Sequence, residues 1–392
     1  MLDYGFTPEQ RMIRDLARQI AEEKVAPLVA HYDETEQFPW EIVRTIAAAD
    51  LFGIFVPDEF GGTYGGALST VLVIEELSRQ CAGVGVTYGA GALGSYPIIL
   101  DGTEEQKVKY LPRIAKGEIL CAFALSESEA GSDASALRTM AAPKGDGHVL
   151  NGVKQWTTNG GEAHLYSIFA RTQKGRGAHG ISAFLVEKGT PGFSFGKKYL
   201  KMGIRASATC DLIFEDCFIP KENVIGKINE GFPVAMRTLD RARPGIAAQA
   251  IGIAQGALEA SLKYSVDRKQ FDVPICEFQT LQFMMAKMAS GLESSRALTY
   301  AVCRMIDNTG KDFSPYASMA KMMASDMAMA ATIDAVQILG GYGYIKEYPV
   351  EKRMRDAKIT QIYEGTNEIQ KLVIARHLLK SYCNYDVKPL HP

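Results

Sequence analysis

A carboxylate in a turn of small residues is the feature of this chain best suited to acid–base chemistry. Residues 362–367 read Ile-Tyr-Glu-Gly-Thr-Asn, so Glu364 directly precedes a glycine. Residues 368–379 are apolar on one helical face, so Thr366 or Asn367 can cap a helix there. A loop carboxylate packed against a helix start can lose water, which raises its pKa and makes it a usable general base. A solvated loop residue fits the same pattern, because charged side chains are mostly exposed.

A second segment has the composition of a phosphate-binding loop. Residues 124–133 read ALSESEAGSD, with small residues, hydroxyls and Gly131 close together. Glycine lets backbone N–H groups approach a ligand, and such a loop suits a pyrophosphate or the edge of a flavin. An ordinary polar turn has the same composition, so this segment decides nothing by itself.

A third segment could supply a flat aromatic surface. Residues 155–161 read QWTTNGG, and a strand there would place Trp156 and Thr158 on one side. An aromatic face beside a hydroxyl is what a planar heteroaromatic ring needs. A buried core tryptophan is the other interpretation. No GxGxxG motif follows a strand and no GxxxxGKS or GxxxxGKT motif is present, which argues against a Rossmann or P-loop nucleotide site.

The composition is that of an ordinary globular enzyme and argues against several other classes. Of 392 residues, 47% are hydrophobic and 22% are charged, and no Lys/Arg block suggests a nucleic-acid partner. The apolar runs are too short for a bilayer and the N-terminus lacks a signal-peptide pattern. We therefore expect a cytoplasmic protein without a membrane partner, or a mitochondrial-matrix protein if a targeting segment was removed. Seven scattered cysteines indicate free thiols and no metal site.

The elements that must position these residues change type twice along the chain. Thr7 and Thr103 each begin a capping box, and helices are expected over about 67–78 and 84–100. Short β-rich runs follow from about Cys121, at 148–153, 165–171, 181–187 and 209–218. Long stretches rich in alanine and methionine come last, at about 233–266, 278–308, 315–339 and 367–381.

This order predicts an α+β multidomain protein. We expect an N-terminal helical domain over residues 1–120 and a central antiparallel β-barrel or sandwich domain over residues 121–232. A C-terminal four-helix bundle is expected over residues 233–392.

Five motifs together resemble those of the acyl-CoA dehydrogenase family. They are ALSESEAGSD, QWTTNGG, DRKQF at 267–271, QILGGYGY at 337–344 and IYEGTNEIQ at 362–370. Their order and spacing resemble the family pattern over about residues 5–385. The resemblance implies the same three-domain fold, FAD as cofactor, an acyl-CoA substrate, a homotetramer built as a dimer of dimers, and electron transfer to an electron-transferring flavoprotein.

The resemblance also implies roles for individual residues. Glu364 would remove the pro-R α-proton of an acyl-CoA thioester while the β-hydrogen leaves as hydride to flavin N5, and the Glu364 N–H with a flavin ribityl hydroxyl would stabilise the enolate. The residues implied to contact the flavin side of FAD are Phe123, Leu125, Ser126, Gly131, Ser132, Trp156, Thr158, Thr366 and Glu368. Those implied to hold its ADP half, partly across a subunit boundary, are Arg268, Phe271, Phe278, Gln279, Gln337 and Gly341. Those implied to lie by the thioester and CoA arm are Ser132, Asp240, Arg243 and Gly365.

Some positions depart from the family pattern. Ser128 replaces a proline that is usual after the glutamate of the first motif, and Glu129 adds a charge. Phe123 stands where a tyrosine is common, which removes a hydroxyl. Part of the family has its catalytic base at the position of Ala242. Because alanine cannot accept a proton, Glu364 is the one carboxylate at a family base position.

The substrate is less well determined by the sequence. The resemblance places the pocket floor on the helix from about Val84, where Gly85 and Gly89 replace larger polar residues of medium-chain relatives. This indicates a wide pocket for a short, branched, cyclic or aromatic acyl group, although close helix packing would explain both glycines equally well.

Other functions remain open at this point. The same fold could serve a flavin oxidase or an enoyl-CoA reductase. A nitroalkane-type oxidase would carry aspartate in place of Glu364, and a DNA-associated relative would need a basic surface. A non-enzymatic helical interaction protein is a further alternative, and a colourless purified protein would favour it.

Overall fold

The computed structural model describes residues 2–173, 175 and 177–387. Helices come first along the chain. In this described part they are α1 (Pro8–Ile20), α2 (Val29–Thr35), α3 (Trp40–Ala48), α4 (Gly66–Gln80), α5 (Ala82–Asp101) and α6 (Glu104–Ala115). The predicted capping boxes at Thr7 and Thr103 are both present, with a glutamine as the returning partner. The sequence pattern does not predict α2 and α3, which are short and lack side-chain caps.

The central region forms one large sheet. Its described strands are β1 (Cys121–Ala124), β2 (Met140–Lys144), β3 (Gly147–Thr158), β4 (Leu165–Arg171), β5 (Ile181–Glu187), β6 (Phe193–Phe195), β7 (Thr209–Pro220) and β8 (Val224–Ile225). They follow the order β6-β7-β3-β2-β4-β5-β8, and β1 pairs with β4. Cys210, Leu212 and Phe214 on β7 are buried while Glu215 is exposed, as the alternation predicts.

The sheet is open and mixed, so the prediction of a barrel is corrected. β1 pairs with β4 in parallel along its whole length, and β2 meets β4 in parallel at one residue pair. The other pairings are antiparallel, as predicted. Side-chain alternation identifies which residues form strands. It carries no information on the direction of the partner strand, which depends on how the connections cross.

Helices return after the sheet and include one more than the pattern predicts. In the described part they are α7 (Gly231–Asp267), α8 (Gln279–Asn308), α9 (Ser314–Leu339), α10 (Val350–Thr360) and α11 (Asn367–Cys383), with a small hairpin of β9 (Lys269–Gln270) and β10 (Val273–Pro274) between α7 and α8. The sequence pattern does not predict α10, because it is rich in charge and has no side-chain cap. α7 packs against α4, α5, α8 and α9 and is the helix around which the others assemble.

One stretch among the described residues, 314–344, is long and apolar enough to cross a membrane on length and composition alone. The expectation that every apolar run would be too short is therefore wrong for this helix. The stretch contains α9, which packs against α7, α8, α10 and α11. The core helix of a bundle passes the same test, because a helix packed on several sides is apolar on several sides.

The division into three domains at about residues 120 and 232 stays a prediction. The change from helices to strands falls between α6 and β1, and the change back falls at the start of α7. α7 nevertheless packs on α4 and α5 as well as on β5, so the N-terminal helices, the sheet and the C-terminal helices share one core.

We predict that Gly94→Ala destabilises the fold, because α5 approaches β1 at this glycine. A Cβ there would lie 2.6 Å from the Ala122 nitrogen, which is backbone and cannot rotate away. Overpacking of this kind lowers the free energy of unfolding by about 1–3 kcal/mol. Gly91→Ala on the same helix is the control, since its Cβ would make ordinary contacts of 3.4–3.5 Å with two side chains. Equal thermal midpoints for the two variants would contradict this account of the packing.

Candidate active site

A cavity of about 940 Å³ lies between α4, α5, α7, the sheet and the turn before α11. It brings together most of the residues that the sequence analysis selects. Those that line it are Gly85, Gly89, Phe123, Leu125, Ser126, Gly131, Ser132, Trp156, Thr158, Arg243, Glu364, Gly365 and Thr366. Residues more than 270 positions apart in the chain therefore meet in one space.

Glu364 lies at the wall of this cavity in a strained turn. Its φ is 52° and that of Gly365 is 90°, so two successive residues adopt the left-handed region that non-glycine residues disfavour. Within the described residues, its Oε2 atom is buried without a hydrogen-bond partner. Burial raises the pKa of Glu364 to about 7, and the nearby charges of Lys321 and Arg243 oppose that rise. The loop position predicts such a shift, and the carboxylate can gain or lose a proton near neutral pH.

Hydrogen bonds from α11 and α9 hold the turn. Thr366 is the cap of α11, because its hydroxyl accepts from the Ile369 N–H at 3.3 Å. The Gln370 amide donates to the carbonyls of Gly365 at 2.9 Å and Glu364 at 3.2 Å. The first helical residues therefore satisfy the polar groups of the turn that carries the carboxylate.

A lysine that the sequence analysis missed also binds this turn. Lys321 on α9 has no exposed surface, and its ammonium group donates to the Gly365 carbonyl and to Asn367 Oδ1, both at 2.9 Å. In a helix rich in alanine and methionine, a lone lysine is expected to face solvent. The signal that could have found it is its helical spacing from Ala317 and Ala324, both on the buried face.

Arg243 is the second cation near Glu364. It is 5% exposed, forms an ion pair with Asp240 and donates to the Ser318 hydroxyl at 3.1 Å. Asp240 itself does not line the cavity, so its contact with the ligand stays a prediction and its observed role is to bind Arg243.

Trp156 presents its ring to the cavity because β3 bulges at this point. The pairing of β3 with β7 shifts between Lys154 and Thr157, and Trp156 has a φ of 63°. The ring is 57% exposed and packs against the ring of Tyr199, with centroids 4.5 Å apart. The alternative of a buried core tryptophan is therefore wrong. Tyr199, which the sequence analysis missed, is held by a hydrogen bond to Asp211 at 2.8 Å.

A buried ion pair anchors the loop between β1 and β2 to β3. The Lys154 ammonium group, which is fully buried, contacts the Glu127 carboxylate at 2.7 Å and the Leu125 carbonyl at 3.1 Å. Glu127 also accepts from the backbone N–H groups of Arg138 and Thr139. These contacts hold the pKa of Glu127 below its usual value despite burial, while burial lowers the pKa of Lys154 to about 8. The loop is thus fixed at its middle.

The two departures from the family pattern in this loop lie outside the buried pair. Glu129 forms an exposed ion pair with Arg138, and Ser128 is also exposed. The backbone at Gly131 remains open to the described part of the chain, since a Cβ there would meet none of its atoms within 4 Å. The segment is therefore an ordered loop with an accessible glycine backbone, which is the property that a pyrophosphate-binding loop needs.

Comparison with known proteins identifies the family. Models of the acyl-CoA dehydrogenase N-terminal, middle and C-terminal domains match residues 7–118, 122–217 and 229–379. The short-chain specific acyl-CoA dehydrogenase of Clostridium acetobutylicum is 47% identical over 380 residues, covering 97% of this chain and all of that one. The chain belongs to the acyl-CoA dehydrogenase family. The acryloyl-CoA reductase (NADH) of Anaerotignum propionicum is 46% identical over 381 residues, covering 97% of this chain and 96% of that one.

Solved structures of the family superpose closely on this acyl-CoA dehydrogenase. A chain in the structure described as the electron transferring flavoprotein of Acidaminococcus fermentans has a TM-score of 0.95, 51% identity, and coverage of 97% of this chain and all of that one. Butyryl-CoA dehydrogenase from Megasphaera elsdenii has a TM-score of 0.94, 44% identity, and coverage of 96% and 100%. Family members are FAD-binding oxidoreductases that act on acyl-CoA, and this chain is such an enzyme.

The residues around the cavity fit the flavin half of FAD. The exposed Trp156 ring offers a flat surface, Thr158 and Ser126 add hydroxyls, and the backbone at Gly131 is open to a phosphate. The residues assigned to the ADP half lie outside this cavity, and with them Glu368. They are Arg268, Phe271, Phe278, Gln279, Gln337 and Gly341. Phe271 is 87% exposed, and the roles of this group stay predictions.

The two glycines assigned to the pocket floor differ in their surroundings. A Cβ on Gly85 would lie 2.0 Å from the Ser78 hydroxyl oxygen, so this glycine serves the packing of α5 on α4. A Cβ on Gly89 would lie 3.3 Å from Cδ1 of Ile74, the mobile end of a side chain. The packing explanation therefore applies to Gly85, and only Gly89 remains a candidate for shaping the acyl pocket.

We predict that Lys154→Met lowers FAD retention and stability. Removing one member of a buried ion pair leaves the Glu127 carboxylate uncompensated, which costs about 3–5 kcal/mol and releases the loop. The ratio of flavin to protein absorbance and the thermal midpoint measure both effects. Arg138→Met, which breaks only the exposed pair of the same loop, is the matched control and should change little. Equal flavin contents in the two variants would refute the anchoring role of Lys154.

Proposed function

We propose that this enzyme oxidises a saturated acyl-CoA to the α,β-enoyl-CoA and that Glu364 is the base that removes the α-proton. The observation that carries the proposal is the Glu364 carboxylate itself. It lines the cavity, one of its oxygens is buried without a partner among the residues that the structure describes, and its pKa is raised to about 7. A carboxylate in water has a pKa near 4 and is too weak a base for this step.

The enolate that forms also needs a hydrogen-bond donor. The α-proton of a thioester is very weakly acidic, so the developing charge on the carbonyl oxygen must be stabilised as it forms. Among the described residues, the Glu364 N–H donates to no backbone carbonyl. We assign this N–H to the thioester oxygen, which would bring the α-carbon beside the same residue's carboxylate.

FAD, when bound, supplies the acceptor for the hydride that leaves the β-carbon. The chain's own part is to orient the reactants and exclude water. In our proposal Trp156 and Thr158 flank the isoalloxazine, Gly131 and Ser132 approach the pyrophosphate, and Arg243 lies by the thioester. The open Gly131 backbone and the exposed Trp156 ring support these assignments.

We further propose a homotetramer in which a neighbouring subunit completes the FAD site. The residues assigned to the ADP half lie outside the cavity. An interface there is supported by exposed aromatic rings, one on Phe271 of this group and one on Tyr344, the last residue of the motif that contains Gln337 and Gly341. Phe271 is 87% exposed and Tyr344 is 84% exposed, which is unusual for large apolar side chains on a free surface. Sedimentation analysis that finds a flavin-loaded monomer would contradict this assembly.

The physiological direction and the electron acceptor belong to the same proposal. The structural neighbour described as an electron transferring flavoprotein supports such a flavoprotein as the partner, and we propose a cytoplasmic enzyme. The acryloyl-CoA reductase relative supports a second candidate, reduction of an enoyl-CoA. With a pKa near 7, Glu364 could return a proton to the α-carbon as readily as remove one. Assays with a flavoprotein acceptor, with oxygen and with NADH plus an enoyl-CoA distinguish dehydrogenase, oxidase and reductase.

We predict that Glu364→Gln strongly lowers turnover while flavin and ligand binding survive. Glutamine keeps the size of the side chain but cannot accept the α-proton, so kcat should fall by at least about 10²–10⁴-fold. Two assays measure the loss. One is the decrease of flavin absorbance when butyryl-CoA reduces the enzyme, and the other is steady-state turnover with ferricenium as the electron acceptor. Near-normal flavin reduction in this variant would identify another residue as the base.

The position of Ala242 provides the control for this prediction. Ala242 is buried and lines the same cavity. The double variant Glu364→Gly with Ala242→Glu should recover part of the activity, because both positions border the space assigned to the α-carbon. The double variant Glu364→Gln with Ala242→Glu should not reach wild-type rates, since the glutamine side chain still occupies the place of the glutamate.

We propose a short, branched or cyclic acyl group as the substrate, and predict that Gly89→Val narrows the pocket. Rejection of a methylene-sized group is worth about 1–3 kcal/mol, or roughly 10–200-fold in kcat/KM. A panel of straight, branched and cyclic acyl-CoAs should show this loss for the bulky members. Gly85→Ala is the control, because its clash with Ser78 lowers stability without reshaping the cavity. If Gly89→Val leaves the kcat/KM values across the acyl-CoA panel unchanged, Gly89 serves helix packing only.

A further inference from the structure

The turn that carries Glu364 is bound by a lysine with no exposed surface. Lys321 donates to the carbonyl of Gly365 and to Oδ1 of Asn367, both at 2.9 Å, so both of these hydrogen-bond partners are neutral. Removing an ammonium group from water costs free energy unless an opposite charge or several hydrogen bonds compensate its charge. Burial accordingly lowers the pKa of Lys321 to about 8, and the nearby Glu364 charge opposes that fall.

We propose that Lys321 is a positioning residue for proton transfer. It holds the turn at residues 364–367 in its left-handed geometry and supplies the positive charge that keeps Glu364 ionised when a thioester fills the cavity. The inference rests on the proposed function of Glu364 as the base.

The hydrogen bonds support the first part of this role. Glu364 has a φ of 52°, a conformation that persists only when surrounding contacts enforce it. Asn367 is buried and is bound by Lys321, by Ser325 at 2.9 Å and by Asp326 at 2.7 Å. Lys321 therefore joins Gly365 and Asn367 to α9, and it does not itself line the cavity.

The surrounding charges support the second part. Burial raises the pKa of Glu364, and only Lys321 and Arg243 act in the opposite direction. The charge of Arg243 is already paired with Asp240. The other titratable groups that face this region are Tyr96 on α5, Tyr363 beside the base, Asp326 on α9 and Glu368 on α11. None of these is a cation, and the further cation Arg241, which lines the cavity, stacks on the ring of Tyr96. Among the described residues Lys321 forms no ion pair, and its charge lowers the pKa of Glu364 more than that of Arg243 does.

The proton balance of the step leaves Lys321 unchanged. The C–H bond at the α-carbon breaks, its proton goes to a carboxylate oxygen of Glu364, and the electron pair stays on the thioester as the enolate. A bound thioester excludes further water and would raise the pKa of Glu364 beyond its value in the open cavity. A fixed cation offsets this effect for the ionised base and, after transfer, for the enolate.

The test uses the FAD-loaded enzyme and 3-thiabutyryl-CoA, whose α-proton is acidic enough to be removed without turnover. The resulting anion beside oxidised flavin absorbs at long wavelength, so a pH titration of this band reports deprotonation at equilibrium. Lys321→Gln keeps an N–H donor without the charge, and Lys321→Met removes both. In both variants the midpoint should rise by about one pH unit, since loss of an opposite charge at this range shifts a carboxylate by about 1–3 units.

One control variant and a second readout separate the charge from the fold. Ser325→Ala removes a hydrogen bond to Asn367 but leaves the charge in place, so its midpoint should match the wild type. The acid limb of kcat/KM for butyryl-CoA, near pH 7 in the wild type, should move with the band in the Lys321 variants alone. Flavin content and thermal midpoint are recorded for each protein, and Lys321→Gln carries the test if Lys321→Met does not fold.

The outcomes distinguish this inference from the function on which it rests. An unshifted midpoint in the Lys321 variants, with no band in Glu364→Gln, would overturn the role of Lys321 and leave the base assignment intact. An equal shift in Ser325→Ala would show that turn geometry, and not charge, sets the midpoint. A full band in Glu364→Gln would instead refute Glu364 as the base.

Discussion

The chemistry that we propose for this cavity depends on a carboxylate that is removed from water and still able to ionise. Burial alone would leave Glu364 protonated and useless as a base, and full exposure would leave it too weakly basic. The structure reaches a pKa of about 7 by placing the group at a cavity wall with two cations nearby. The turn, the cap of α11 and the buried lysine of α9 all serve this balance.

A second buried lysine holds the loop between β1 and β2, in this case through an ion pair. Lys154 is as deeply buried as Lys321, and its partner Glu127 holds the middle of the loop that carries Gly131. A buried ion pair adds little net stability, because desolvation offsets the attraction. The ion pair instead favours one position of the loop over others, since a displaced loop would leave a buried charge uncompensated. In our interpretation, Lys154 and Lys321 each hold one geometry of the site and lower the stability of the fold only modestly.

Close approach of backbones explains how helices and sheet can share one wall of the cavity. α5 contacts β1 at Gly94 and α4 at Gly85, where a side chain would collide with backbone or with Ser78. α7 packs on α4, α5 and β5 and brings Arg243 to the cavity. Small residues at these contacts therefore determine how closely α5, which forms part of the cavity wall, approaches β1 and α4.

The sequence by itself determined the change from helices to strands and back, most of the long elements and a group of the residues that line the cavity. Capping boxes, strand alternation and glycine clusters are local signals, and the motifs around Trp156 and Glu364 are contiguous. Tertiary structure decided the rest. The parallel pairing of β1 with β4 depends on how the chain connections cross. The exposure of Trp156 depends on a bulge in β3, and the packing role of Gly85 depends on the distance between α5 and α4. Lys321 lies 43 positions before Glu364 in the chain. Its helical spacing from Ala317 and Ala324 is compatible with burial, but only the turn at residues 364–367, which covers α9 at this point, decides that the lysine is buried.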